Sequence, residues 1–274
     1  MNLRLWSKEK PLRMLWRVEK RARVSHLVGT AHFFPYSFAE PLARLMRNVA
    51  TVMLEGPLDD ASSARIAEYG RQGENTPMFV DLLTPETIGE IERILRNRLD
   101  NANGDAWLLS LVERKPIYFE KFTRGVRPWA AFFSIWQTYL GWKYSMDMEG
   151  YQIARKLGKQ IHFLETLDEQ LAVLDNIPPE RIARQLNDVK NWESYKNAYV
   201  SIFLDGDLEK IMTLTARFVT RGPVIVGARD QILFNRMQPI IEREDAVACI
   251  GFPHIPGVTQ LFRDADYTVT QVRE

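Results

Sequence analysis

The sequence predicts an α/β fold in a single domain over residues 1–274, with a mostly helical insertion at about residues 60–158. Three observations point there. Short apolar runs with strand character occur towards both ends of the chain, separated by segments of helical periodicity, the alternation that α/β folds show. No β pattern appears between about residues 60 and 158. Two of the apolar runs also end alike: "LVGTAHFFP" (27–35) and "CIGFPHIPG" (249–257) each carry a glycine three residues before a histidine, Gly29–His32 and Gly251–His254.

In chain order, "MLWRVEK" (14–20) and "RVSHLVGTA" (23–31) flank a short basic turn and read as a hairpin whose second strand delivers the first GxxH. "PYSFAEPLARLMRN" sets Phe38, Leu42, Leu45 and Met46 at helical spacing, and "VATVMLEG" (49–56) is a buried strand closed by Gly56 and Pro57. Thr84 is the expected N-cap, with Pro85 the first helical residue, of a helix whose apolar face is Ile88, Ile91, Leu95 and Leu99. "NANGD" (101–105) reads as a turn before "AWLLSLVE", and "PWAAFFSIWQTYLGW" (128–142) as a buried or groove-lining helix.

The helix "EGYQIARKLG" leads to the strand "KQIHFLE" (159–165), and Thr166 with Glu169 has capping-box spacing. Pro178 and Pro179 open what reads as one long helix through "ERIARQLNDVKNWESYKNAYVSIFL". "DGD" (205–207) ends it, and Asp207 is placed to cap the next. A helix through "DQILFNRMQPIIERE", bent near Pro239, precedes the strand "DAVACIGF"; "GVTQLFRDAD" and "YTVTQV" close the chain as helix and strand.

Length and composition narrow the class of function. A chain of 274 residues, 46% hydrophobic and 26% charged with net charge +1, has the balance of an ordinary globular domain and lacks the basic excess of a nucleic-acid binder. The single cysteine, Cys249, excludes an internal disulfide framework and any multi-thiolate metal site and suits a reducing compartment, so a cytoplasmic location is expected. The basic N-terminal stretch has no apolar core of a secretory signal, and residues 128–142 are too short to span a bilayer and are interrupted by Gln137. No nucleic-acid partner and no transmembrane segment are expected, and a homo-oligomer is not excluded.

His32 and His254 lie just past the C-terminal ends of apolar strands, where α/β sheets place ligands and catalytic groups. Glycine ahead of each lets the backbone turn tightly or lie close to a bound group. Glu55 ends another buried strand, where a carboxylate is costly unless paired, hydrogen-bonded or bound to a cation. Two histidines and a carboxylate can hold a divalent metal with open positions for water, whose pKa the metal then lowers. The same set can activate water without a metal, the imidazole as base and the carboxylate as orienter. Ligand type does not choose between them.

Other candidates read mainly as structure: His26 and His162 within strands, and Trp129, Phe132, Phe133, Trp136 and Tyr139 as core. Glu165 is either a second site carboxylate at a strand end or the start of a turn. No GxGxxG, P-loop or GxSxG is present, which argues against dinucleotide, nucleotide and serine-esterase chemistry.

Five segments in this order, "LVGTAHFFP", "VMLEGPLD", "MDMEGYQIARKLGKQIHFLETLDEQL", "FLDGDLEKI" and "AVACIGFPHIPGVTQLFRDADYTV", resemble the TraB/PrgY/GumN family, to which the TIKI metalloproteases belong. The resemblance implies a mixed β-sheet flanked by helices with a helical insertion, similar to the haem-binding ChaN proteins and the erythromycin esterases. It also implies a divalent-metal-dependent hydrolase, a peptidase acting on a peptide or small-molecule substrate, with roles for Gly29, His32, Glu55, Gly251 and His254. Mn, Co and Zn are not distinguished. The family commonly has an Arg-Asn pair before a Met or Trp; here "ARDQILFNRM" puts Phe234 before Asn235, so Asn235 is its best counterpart, with Arg229 and Arg236 as competing polar donors. The resemblance also implies two other functions: a non-catalytic regulator that binds a peptide or haem, or a metal-independent esterase.

Overall fold

The computed structural model describes residues 10–73, 78–102 and 118–272. Its centre is a mixed six-stranded sheet flanked by helices. β1 (Leu15–Lys20) and β2 (Arg23–Thr30) form the expected antiparallel hairpin. β3 (Thr51–Leu54), β4 (Gln160–Phe163), β5 (Ala246–Gly251) and β6 (Thr268–Gln271) complete the order β4-β3-β5-β2-β1-β6. β5 is parallel to both β2 and β3, and β3 is parallel to β4, while β6 runs antiparallel to β1. Every residue of β3 and β5 is buried, as strands covered on both faces require.

One cover is α1 (Ala39–Arg47) with the helix Met146–Lys156, numbered α6 below. Gly150 of α6 faces Met46, Leu54 and Cys249, which places the helix over β3 and β5. Another is α11 (Pro223–Ile241) with α12 (Ile255–Asp264), joined through the Phe234 and Phe262 rings 4.9 Å apart. α11 starts earlier than the sequence predicts, with Pro223 in its first turn, and carries Pro239 inside it.

Between β3 and β4 the described α-helices are α2 (Asp60–Gly70), α3 (Pro85–Ala102), α4 (Tyr118–Thr123), α5 (Pro128–Leu140) and α6. Thr84 accepts from the Thr87 N–H and caps α3, which runs through Ala102, so Asn101 and Ala102 of the expected "NANGD" turn are helical; residues 103–117, with the rest of that turn and "AWLLSLVE", lie outside the described residues. α5 buries Trp129, Phe132 and Trp136 in a second apolar cluster with Ile91, Leu95 and Trp192. Its aromatics therefore form core.

α7 (Leu167–Asp175) opens on the predicted capping box of Thr166 and Glu169. The single helix expected after Pro178 is corrected to two, α8 (Pro179–Asn187) and α9 (Trp192–Asp205), separated by a 3-10 turn at Val189–Asn191. The break has a local cause. Asp188 accepts from both the backbone and the side-chain amide of Asn191, and the buried Trp192 indole donates to the Gln185 carbonyl, which turns the chain so that Trp192 joins the second cluster. Gly206 ends α9 with a left-handed φ of 70°, and Asp207 caps α10 (Leu208–Thr215).

Candidate functional site

The two GxxH motifs end neighbouring strands. In the parallel pairing of β2 with β5, Gly29 faces Ile250 and Thr30 faces Gly251, so the segments that carry His32 and His254 leave the sheet side by side. On the other flank of β5, Leu54 pairs with Cys249, which brings Glu55 level with the same strand end. Glu55 Oε2 accepts the Gly251 N–H at 2.6 Å. A Cβ on Gly251 would stand 3.1 Å from that oxygen and 3.8 Å from His254 Cδ2, so this glycine keeps carboxylate, backbone and imidazole in contact. Gly29 packs against Phe252 and Ile255, the residues on either side of Pro253 and His254.

Each imidazole is carried by a carboxylate. His32 Nδ1 lies 2.7 Å from Asp147 Oδ2, while Thr30 Oγ1 donates to Asp147 Oδ1 at 2.5 Å. His254 Nδ1 lies 2.6 Å from Asp230 Oδ1. Because a carboxylate accepts, Nδ1 carries the proton in both rings and each Nε2 is left to take a proton or a cation. Asp230 reaches His254 across Gly257, where any Cβ would collide with the carboxylate. The two rings sit differently: the His32 side chain is 67% exposed and that of His254 is 4% exposed. Asp147 raises the pKa of His32 to about 9 against the opposing effect of desolvation.

Glu55 belongs to a buried ion cluster. Arg229 Nε and one terminal nitrogen donate to the two Glu165 oxygens, each at 2.6 Å, and the same terminal nitrogen donates to Glu55 Oε1 at 2.5 Å. Glu55 and Glu165 are 8% and 2% exposed, so one guanidinium serves two desolvated carboxylates. Burial pushes the Glu55 carboxyl up, but His254, Arg229, His32 and the Gly251 N–H together outweigh it and hold it at about 2. A carboxyl held this low is a poor base and a good orienting anion.

The structure thus brings His32, Glu55, His254, Gly29 and Gly251 together at the strand ends, with Arg229 and Glu165 behind them. Asn235 is elsewhere: it is exposed on α11 and accepts from Gln231 Nε2. Arg236 binds Glu169 and the Leu164 carbonyl, tying α11 to the start of α7. Sequence reasoning missed Asp147 and Asp230. The available signals were a carboxylate in the first turn of α6 and one directly after Arg229.

In donor type these residues suit a divalent cation. Two imidazoles with carboxylate-bound Nδ1 and free Nε2 are the arrangement that metal-binding histidines adopt. Glu55, however, spends one oxygen on Arg229 and the other on Gly251, and no three of His, Cys, Asp and Glu converge on a common point among the described residues.

A mixed α/β sheet with paired histidines and a carboxylate at adjacent strand ends defines the class. The chain belongs to the TraB/PrgY/gumN family, whose model matches residues 14–271. No curated protein and no solved structure matches it. Among the described residues no helix is long and apolar enough to cross a membrane.

Proposed function

We propose that this protein is a hydrolase that activates water at His32, Glu55 and His254, with a peptide bond as the first substrate to test because of the resemblance to the metalloprotease members of the family. The observation that carries the reading is the pair of carboxylate-backed imidazoles on adjacent strand ends beside a buried glutamate. Asp147 and Asp230 fix the tautomers and aim each Nε2. Glu55, anchored by Arg229 and the Gly251 N–H, orients water as an anion, and the Nε2 of an unprotonated imidazole takes the proton. A divalent cation, held by His32 and His254 with Glu55 beside it, would supply a Lewis acid that lowers the pKa of bound water.

The test is turnover of a peptide library by the full chain, with and without added divalent metal and with chelator controls. Glu55→Gln keeps the shape of the side chain and removes its charge, and it is expected to leave the fold intact and lower turnover about a hundredfold or more. Unchanged turnover excludes the site. Hydrolysis that resists chelator yet needs His32 and Glu55 assigns the protein to metal-independent esterase-like chemistry. Tight binding of a peptide or haem without turnover assigns it to the regulators.

A further inference from the structure

Arg221 is the cation near the site that the water-activating residues do not use. It precedes Gly222, the N-cap of α11, and its guanidinium carbon sits 4.6 Å from the centroid of the Phe252 ring. Phe252 follows Gly251 directly, so the guanidinium is seated next to the strand end that Glu55 holds. Arg221 Nε is buried and has no hydrogen-bond partner among the described residues. No carboxylate pairs with this guanidinium among them either, in contrast to Arg229.

The surroundings are aromatic. Tyr199 packs 6.1 Å from Phe252, and Tyr195 stacks on Tyr199 at 6.3 Å. Burial lowers the pKa of Arg221 to about 10, with Tyr199, Tyr195 and Glu55 acting in the opposite direction, so the group is still a cation at neutral pH. A partly buried guanidinium whose Nε has no partner is costly, and one stacked on a ring keeps its N–H edge for a planar oxyanion. The Arg221 guanidinium, with two phenols and the Glu55 carboxylate nearby, matches a monoanion better than a phosphate dianion.

We propose that Arg221, seated on Phe252 and flanked by Tyr195 and Tyr199, is a substrate subsite that binds a carboxylate of the peptide. This rests on the hydrolase reading above and gives it a substrate class: peptides with a carboxylate, terminal or side-chain, close to the reacting bond.

Isothermal titration calorimetry on the full chain tests it with N-acetyl-dialanine, the C-terminal amide of that peptide, N-acetyl-aspartyl-alanine amide and inorganic phosphate as probes. The wild type should bind at least one of the two carboxylate peptides about tenfold or more tightly than the uncharged amide. Which one it is identifies the source of the carboxylate. Arg221→Gln should abolish the preference and Arg221→Lys should retain part of it, with circular dichroism confirming the fold. Tyr199→Phe should weaken the preference and gives an independent reading if Arg221→Gln does not fold. Equal binding of charged and uncharged peptides by the wild type, an undiminished preference in Arg221→Gln, or tighter binding of phosphate than of either carboxylate peptide would overturn the proposal. Binding heats do not depend on turnover, so a carboxylate preference without hydrolysis would retain the subsite and reject the chemistry.

Discussion

His32 and His254 each have their own carboxylate partner at Nδ1, Asp147 and Asp230, and differ in exposure, and that difference sets what each can do. Asp147 raises the pKa of His32 above the ordinary value of 6.5, to about 9, so the stabilisation from the pair is fully present below pH 6.5 and is lost as pH rises through about 9. Solvent screening at a ring that is 67% exposed keeps the energetic contribution small, so the titration itself is the better observable. In metal-free protein the imidazole of His32, followed by NMR, should titrate well above 6.5, and Asp147→Asn should bring it back towards that value. A wild-type midpoint at or below 6.5 would remove the dyad. These partners were not legible in the sequence. Gly-x-x-His is a local spacing and can be read directly, whereas Asp147 and Asp230 meet their imidazoles only through the packing of α6 and α11.

At the scale of elements, α11 is fastened to the sheet edge by charge. Arg229 spans Glu55 after β3 and Glu165 after β4, Asp230 holds His254 after β5, and Arg236 reaches Glu169 and the Leu164 carbonyl. Helical spacing explains which donors take part. Arg236 stands seven residues after Arg229 and returns to roughly the same face, while Asn235, six residues on, is turned about 120° away. The resemblance points to this helix, and periodicity within it separates Asn235 from the side that carries Arg229 and Arg236. The same limit applies to the break between α8 and α9, where an amphipathic run that reads as one helix is divided by the burial of Trp192. Arg229→Met removes the guanidinium that two buried carboxylates share and should cost about 3–5 kcal/mol in urea unfolding at neutral pH. That loss should shrink at acid pH, where a carboxylate can protonate. A loss well under 1 kcal/mol would mean that the cluster does not hold α11.

Across the whole molecule, a sheet-centred core and a helical core lie on one chain, and the candidate site sits where the sheet-centred core meets solvent at the ends of β2, β3 and β5. The α/β class was legible because strand character and its absence are long-range patterns that survive local ambiguity, while the mixed sheet was implied by the resemblance. The register that joins β2 to β5 was not legible, since Thr30 and Gly251 lie 221 positions apart in the chain. The central claim is that these two distant motifs work as one site. A double-mutant cycle on kcat/KM, using a peptide that the wild type cleaves, tests it most directly. Glutamine is the substitution because its amide can still donate to Asp147 or Asp230. His32→Gln and His254→Gln should each lower kcat/KM by about 10²-fold or more, and the double variant should lose little beyond either single one, as groups acting as a unit do. Losses that multiply in the double variant, or a single variant that retains wild-type kcat/KM, would contradict a shared site.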